Sequence, residues 1–489
     1  MLFCQVFLGF VCTVMSTSIL VNSPSKMLSS LLFVAAFNFL FVVAYKNIKK
    51  YPSFSAFSAL LWLGFFGKTT MLLTFGTGIK DPIGAFDGVG AQWDELFAVT
   101  SVGVLALISS FFLYTKIIVK NQIEKVKLEN GKINFQLNAN FKVFALYSFV
   151  LVFVAMLNLN YGLILSGLAS ITHLPFKINA AVGWMLYLGF SAILSLLFMK
   201  SMSTKRYFFA CVGLLFLEGF FCSVSLISRG TFIFHVVPVL LLIAFNYKFL
   251  NITIKNVMTM FVAFLAVMVV TVGAVTVTRN SLYDKYAFSN SDFSTSITLS
   301  QYSKKIDRSF VSNSIGVIGD LMINRWVGLE GTMAVVGYPD KNFALMFDSL
   351  IRIPKVGVQD VYAKISGVVY ENNPKITFSF IPGPIAFLYY SGQIFCVFIG
   401  LLLMGLFLLT ADDLIWRFFN NPFLTVQISA YLAVNASQIG MSPFPLVKSL
   451  VLTICGLTVL KILTDETVVS NIYYPILSKF RQPTALKAK

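Results

Sequence analysis

Residues 257–277 read VMTMFVAFLAVMVVTVGAVTV and contain no charged side chain. An α-helix rises about 1.5 Å per residue, so this stretch is long enough to cross the ~30 Å hydrocarbon core of a bilayer. Directly after it come about a hundred mostly polar residues, 278–378, and then a second very apolar segment. The sequence therefore predicts a bundle of membrane spans with one large lobe inserted between two of them.

The composition of the whole chain excludes a water-soluble protein. Of the 489 residues, 57% are hydrophobic and 12% charged, and the mean hydropathy is +0.82. A net charge of +17 would favour nucleic-acid binding in a soluble protein, but in a multi-pass membrane protein it reflects basic cytoplasmic loops, so we expect no nucleic-acid partner. The six cysteines lie in apolar segments, and the two histidines form no Cys/His metal-site spacing. We expect no metal and no cofactor.

The predicted fold class is an all-α polytopic membrane protein with about twelve transmembrane helices and one large, mostly helical outer lobe. The predicted spans are residues 2–20, 27–45, 54–75, 96–119, 143–165, 180–199, 207–227, 232–247, 257–277, 385–409, 423–439 and 446–463. This divides the chain into spans one to nine (1–277), the lobe (278–378), spans ten to twelve (379–463) and a basic tail (464–489).

The distribution of lysine and arginine predicts the orientation in the membrane. With the amino terminus in the cytoplasm, cytoplasmic segments carry nineteen Lys and Arg residues, and the short outer connections carry four. Both termini are therefore predicted to be cytoplasmic and the lobe to be outside, which in a bacterium means the inner membrane with a periplasmic lobe. The lobe holds eleven basic and nine acidic residues, a net charge of +2. Because this net charge is small, the arginines of the lobe can act on groups next to them but not through an overall positive field.

Apolar residues recur at helical spacing in two parts of the lobe, separated by the turn at residues 337–340. The first stripe is Trp326, Leu329, Met333 and Val336, and the second is Phe343, Phe347, Leu350 and Ile351. They predict two amphipathic helices on the membrane face. Each helix either packs the lobe onto the spans or contacts lipid.

Charged side chains inside spans are costly and mark a site or a buried pair. Lys68 and Lys448 lie near outer span ends, where a lysine can also extend to the surface. Glu218, in the middle of a span, predicts a structural hydrogen bond, a pairing with Lys68 or a proton-handling role. His235 is either a packing residue or a base.

Four arginines are candidates for binding phosphate, because a guanidinium presents five donors in a fixed fork. Arg229 lies in a tight hairpin between two spans, Arg279 at the outer end of the ninth span, and Arg325 and Arg352 in the lobe. The alternative for each is interfacial anchoring or a salt bridge. Glu330, in the lobe near cationic groups, is the candidate for accepting a proton from a sugar hydroxyl.

Three motifs, in this order, resemble the oligosaccharide repeat-unit (O-antigen) polymerase family. They are Ser228-Arg229-Gly230 opening a span, Asn324-Arg325-Trp326-Val327-Gly328-Leu329 in a large outer loop, and Ile381-Pro382-Gly383-Pro384 leading into Leu388-Tyr389-Tyr390-Ser391-Gly392. The resemblance covers the seventh to tenth spans and the lobe. The first six spans are similar to the family in topology only.

This resemblance implies a GT-C-like, metal-independent membrane glycosyltransferase that uses an undecaprenyl-diphosphate-linked oligosaccharide as donor at the periplasmic face. The growing glycan would leave its carrier and join a lipid-linked repeat unit; membrane lipids and a chain-length regulator are further expected partners. The diphosphate-binding role transfers first to Arg229 and Arg279, then to Arg325 and Arg352, and Lys68 completes the candidate set. The lobe contains no histidine, so Glu330 is the candidate base.

Two other functions remain open at this point. An O-antigen ligase shares the architecture and differs in its acceptor, which is lipid A core. A lipid-linked oligosaccharide flippase or other transporter also has about twelve spans, but it would have short loops and charges along a central pathway. The polymerase is favoured because one outer lobe holds about a fifth of the chain and interior charges are few.

Overall fold

The fold is taken from a computed structural model of the chain. It describes residues 2–79, 81–118, 141–202, 204–282, 317, 326–352, 361–367, 382–439 and 443–464. The chain is helical throughout these ranges, apart from loops, turns and one isolated bridge between Leu165 and Leu168. The predicted basic tail and most of the lobe lie outside the described residues.

We number sixteen helices in chain order. They are α1 (Leu2–Asn22), α2 (Met27–Asn47), α3 (Pro52–Phe75), α4 (Gly90–Lys116), α5 (Phe141–Tyr161), α6 (Pro175–Ser201), α7 (Lys205–Ser225), α8 (Arg229–Asn246), α9 (Ile254–Leu282), α10 (Leu329–Gly337), α11 (Phe343–Ile351), α12 (Val361–Ser366), α13 (Pro384–Leu388), α14 (Ile394–Phe419), α15 (Pro422–Ser437) and α16 (Phe444–Thr464).

Nine of the described helices, α2 to α9 and α14, are long and apolar enough to cross a membrane. The chain is therefore a multi-pass helical membrane protein. Helices α1, α15 and α16 coincide with the predicted first, eleventh and twelfth spans. Because α15 has only 16 residues, it is shorter than the ~20 that a full crossing needs.

The predicted bounds of the tenth span, 385–409, are wrong. The chain first forms the short helix α13 and a 3₁₀ turn at Tyr389–Ser391, and only then the long helix α14. Gly392 separates them with a φ of +71°, in the left-handed region that favours glycine. Helix α9 also continues to Leu282, beyond the predicted end at residue 277, so Arg279 lies in its last turn.

The described residues form two large hydrophobic cores and one small cluster. The first joins α2, α3, α4, α14 and α15 with the lobe helices α10 and α12, and the second joins α5 to α9. Helix α15 links the two, since it packs against α3, α6 and α8. We call the end of the bundle at which α9 leads into the lobe the lobe end, and the opposite end the far end.

The two stripes of the lobe have different environments. Every residue of α10 from Leu329 to Val336 is buried, so the prediction that this helix lies on the membrane face is wrong: it is inserted among α4, α12 and α13. Helix α11 is amphipathic as predicted. Leu345, Met346 and Leu350 pack against the first core, whereas Phe343 and Phe347 are about half exposed. This exposed aromatic face fits a lipid contact.

Candidate functional site

Lys68 and Glu330 form a buried ion pair that joins a membrane span to the lobe. The Lys68 Nζ lies 2.5 Å from Glu330 Oε1 and also donates to the Trp326 carbonyl oxygen at 3.2 Å. Both side chains are only 6% exposed. Two candidates that lie 262 positions apart in the sequence are thus in direct contact, and Lys68 does not extend to the surface.

Glycines allow the lobe to approach α3 this closely. Helix α3 contains a π-helical turn at Trp62–Gly67, immediately before Lys68. A Cβ added at Gly64 would lie 2.1 Å from the Val327 carbonyl oxygen, and one added at Gly331 would lie 2.2 Å from the Pro382 oxygen. Real Cβ atoms do not approach backbone this closely, so only glycine fits at either position.

The surroundings of Glu330 differ from those predicted. The sequence predicts it outside the bilayer near cationic groups, whereas it is buried against α3 in contact with the Lys68 ammonium group. Burial raises the pKa of the Glu330 carboxyl above its usual range, and the Lys68 charge lowers that pKa only in part. Burying this pair therefore costs free energy. Buried ionisable groups of this kind typically either fix the position of neighbouring segments or take part in a reaction.

A second polar contact, missed in the sequence, attaches the lobe to α4. Lys341 Nζ lies 3.2 Å from Glu95 Oε1, and the Tyr389 hydroxyl donates to the same oxygen at 2.6 Å. Lys341 also donates to the Val336 carbonyl oxygen at 2.8 Å. Glu95 lies within the first turns of α4, directly before the predicted start of the fourth span at residue 96. If the predicted span had begun a few residues earlier, Glu95 would have been identified as an acidic residue inside the membrane.

Arg229 and Arg279 lie at the same end of the bundle. Arg229 is the first residue of α8 and Arg279 is in the last turn of α9, and these antiparallel helices pack together. Leu282 of α9 packs against the cluster of Leu165, Leu168 and Ile227 that precedes α8. Both arginines are half-buried. This is the layer in which the sequence predicts a diphosphate site.

The other basic candidates are more peripheral or outside the described residues. Arg352 Nη2 lies 3.0 Å from Oδ2 of Asp348, one helical turn earlier, and both side chains of this ion pair are about half exposed. This is the salt bridge to a lobe acid that was the alternative to phosphate binding. Lys448 is exposed on α16, in agreement with a surface lysine. Arg325 lies outside the described residues.

Glu218 pairs with His235, not with Lys68. His235 Nδ1 lies 2.7 Å from Glu218 Oε1, and His235 Nε2 lies 3.0 Å from the Tyr187 carbonyl oxygen. A carbonyl oxygen can only accept, so Nε2 carries a proton, and one further proton is shared between Nδ1 and the carboxyl group. His235 is thus a buried, hydrogen-bonded residue that joins α8 to α6 and α7.

The same two residues and Cys222 could together hold a metal ion. One ligand atom of each lies within 4.8 Å of the others, and all three residues are buried. Cys222 Sγ donates to Glu218 Oε1 at 3.5 Å, so the carboxyl group already has two partners. In the arrangement described, Nδ1 and Oε1 are hydrogen-bonded directly to each other.

A further buried acid, Asp412, was not identified from the sequence. Its carboxylate accepts from the Ser53 backbone N–H at 2.9 Å and from the Ser53 and Ser429 hydroxyls at 2.6 Å each. It therefore joins α3, α14 and α15 at the far end. Asp412 lay beyond the predicted end of the tenth span at residue 409, although the Asp412-Asp413 pair interrupts an apolar segment.

Two of the three motifs that resemble the polymerase family pack against each other. Gly331 follows the Trp326-containing motif and lies against Pro382, and a Cβ at Gly383 would lie 3.2 Å from Val327. The third motif, around Arg229, belongs to the other core. The structure thus brings the candidates together as two groups, Lys68 with Glu330 and Arg229 with Arg279.

Comparisons of the chain with protein-family models, with curated proteins and with solved structures give no match.

Proposed function

We propose that the chain is a membrane polysaccharide polymerase of the O-antigen or capsule type. It would transfer a glycan from a polyprenyl-diphosphate carrier to a lipid-linked repeat unit at the lobe end of the bundle. The observation that carries the proposal is the buried insertion of the lobe segment 326–337 beside Lys68, at the end where Arg229 and Arg279 also lie. Cations at this level of the bundle suit a diphosphate group that gains negative charge as it leaves.

The arginine group supports binding of a diphosphate. Arg229 opens α8, and the N-terminus of a helix carries partial positive charge from its exposed N–H groups. The Arg229 guanidinium adds to the positive potential at this helix end, and Arg279 supplies a second guanidinium from α9. As the bond between the sugar C1 and the phosphate oxygen breaks, negative charge develops on the diphosphate, and fixed cations in a half-buried layer stabilise it.

The lobe group supports handling of the acceptor. In the transfer, the acceptor hydroxyl oxygen forms a bond to C1 of the donor sugar, the C1–O bond to the diphosphate breaks, and the hydroxyl proton goes to a base. Glu330 is the proposed base, because a carboxyl with a raised pKa accepts a proton more readily at neutral pH than an exposed one. Lys68 would hold and orient this carboxylate.

The test is the length of surface polysaccharide in cells that lack this gene, complemented at matched protein levels. The variants are Arg229→Ala and Arg279→Ala, with Arg206→Ala as the matched control, because Arg206 is exposed at the other end of α7. We expect single-repeat glycans in the deletion, a full ladder with wild type and Arg206→Ala, and a lost or shortened ladder with the other two. Loss of even the single repeat from the surface would overturn the proposal in favour of export or ligation.

A further inference from the structure

A deep groove opens between α3, α8 and α15 and is separate from both candidate groups. It has a volume of about 1410 Å³, larger than the ~300–1,000 Å³ of typical small-molecule sites. Helix α15 forms the floor, since both α3 and α8 pack against it, and α3 and α8 form the walls. Its lining on α8 runs from Ile233 to Asn246, which corresponds to about 20 Å of helix.

The groove exists because of a proline and small residues. Pro238 lies inside α8 and has no N–H to donate to the Phe234 carbonyl oxygen. Gln427 of α15 donates its side-chain amide to that oxygen at 3.3 Å instead, so the irregular backbone is stabilised from the floor. On the opposite wall, Ala56 and Ala59 leave space where larger side chains would fill it.

The polarity of the groove changes along its length. The deeper part, toward the lobe end, is lined by apolar side chains, including Leu63, Ile233 and Val237. The mouth, at the far end, is lined by Lys49, Lys50 and Arg417. A length of about 20 Å slightly exceeds one leaflet of a ~30 Å hydrocarbon core. These dimensions fit an acyl chain in the groove with its headgroup at the mouth.

The charges at the mouth favour a negative headgroup. Lys49 Nζ lies 3.3 Å from the Phe245 carbonyl oxygen, and Lys50 Nζ lies 5.0 Å above the Tyr51 ring, so both have neutral partners among the described residues. Two acids, Asp412 and Asp413, also line the groove, but they accept hydrogen bonds from Ser53 and Ser429 and, at 2.5 Å, from the Tyr114 hydroxyl, and among the described residues neither forms an ion pair with Lys49 or Lys50. The two lysines can therefore bind a phosphate group.

We propose that this groove is a binding site for an anionic phospholipid, with an acyl chain between α3 and α8 and the phosphate on Lys49 and Lys50. The site lies far from the proposed chemistry. Pro52, at the mouth, and Lys68 are 16 positions apart on α3, which corresponds to about 24 Å. The bound lipid would complete the packing between the two cores, because α3 belongs to one and α8 to the other.

The test is lipid binding to the full-length, delipidated protein in detergent, measured by native mass spectrometry with phosphatidylglycerol and phosphatidylcholine of identical acyl chains. We expect preferential binding of phosphatidylglycerol, weakened about fivefold by each of Lys49→Ala and Lys50→Ala. Lys46→Ala is the matched control, because Lys46 is an exposed lysine of the same run that does not line the groove.

A second variant tests the groove itself. Ala59 is exposed and lines the groove, so Ala59→Trp should fill it and abolish binding of both lipids at an unchanged melting temperature. Val262→Trp, on the exposed face of α9, is the control for size. Equal binding of the two lipids, or unchanged binding to Ala59→Trp, would overturn the proposal. Displacement of phosphatidylglycerol by an equimolar polyprenyl phosphate would also overturn it, in favour of a carrier-lipid site.

Discussion

Removing one partner of the Lys68–Glu330 pair should destabilise the protein far more than removing both. The pair is 6% exposed on each side, with 2.5 Å between Nζ and Oε1. Loss of one partner leaves a buried charge without its counter-ion, which typically costs about 3–5 kcal/mol. Replacing both by apolar side chains of similar volume removes the desolvation cost as well, and such double changes are often neutral or stabilising by ~1–4 kcal/mol.

The assay is a double-mutant cycle. The free energy of unfolding is measured in detergent for wild type, Lys68→Met, Glu330→Leu and the double variant. We expect each single variant to lose about 3–5 kcal/mol and the double variant to lie within about 1 kcal/mol of wild type or above it. The coupling energy should then be at least about 5 kcal/mol, because two losses of about 3 kcal/mol each are replaced by a loss of at most about 1 kcal/mol.

The exposed pair of Arg352 and Asp348 provides the control cycle. These side chains are about half exposed and one helical turn apart, so the expected coupling is only about 0.3–0.5 kcal/mol. If Lys68→Met and Glu330→Leu each cost less than about 1 kcal/mol and add, the burial argument for this pair is refuted.

The same double variant separates a structural role from a chemical one. If Glu330 is the base, a double variant as stable as wild type still fails to restore the polysaccharide ladder, because no carboxylate receives the acceptor proton. A stable double variant that restores a full ladder would exclude Glu330 as the base. The pair would then serve only to attach the lobe to α3.

Three further predictions concern packing, a buried acid and pH. Gly331→Ala places a methyl group 2.2 Å from the Pro382 oxygen and should lower the unfolding free energy by about 1–3 kcal/mol. The control is Gly213→Ala, whose added methyl group has no neighbour within 4 Å and which should be neutral or stabilising. Equal effects of the two variants would refute the close approach. Asp412→Ala leaves the Ser53 and Ser429 donors without their acceptor and should lower the unfolding free energy by at least about 2 kcal/mol. An unchanged unfolding free energy would argue against this hydrogen-bond network. Burial raises the pKa of the Glu330 carboxyl in the folded state, so its contribution to stability is present below pH 4.5 and is lost as the pH rises through the raised pKa. The unfolding free energy should therefore fall more steeply with pH in wild type than in Glu330→Gln. Parallel curves for the two proteins would contradict this.

The apolar segments could be predicted from the sequence because each one satisfies its own length and composition requirement. Helices lie at all the predicted span positions, with errors of several residues at their ends. The largest error, at the tenth span, arose because the apolar residues 385–390 precede an apolar helix, but Gly392, whose φ is +71°, separates the two. A hydropathy average over the whole segment does not detect a single glycine that ends a helix.

The partners of the buried charges could be predicted only in part. Lys68 and Glu218 were identified as groups that need a partner, but helical spacing on one span says nothing about which distant segment supplies it. Glu330 was predicted to lie outside the bilayer near cationic groups, whereas it lies in α10, which is buried among α4, α12 and α13. The small residues Gly331 and Ala334 permit that burial, and their effect depends on Pro382, which is 51 positions away from Gly331.

The two lobe contacts together determine where the lobe sits. A hydrophobic surface alone allows sliding, because burial is roughly proportional to area and has no direction. The Lys68–Glu330 pair fixes α10 on α3, and the Lys341–Glu95 pair fixes the segment after α10 on α4, with Tyr389 as a third partner. Because the two pairs anchor neighbouring segments of the described part of the lobe on different spans, they restrict both sliding and rotation of α10 and the residues that follow it. The proposed reaction between two lipid-linked substrates would need such a fixed arrangement, since the reacting atoms of donor and acceptor must meet within about 3–3.5 Å.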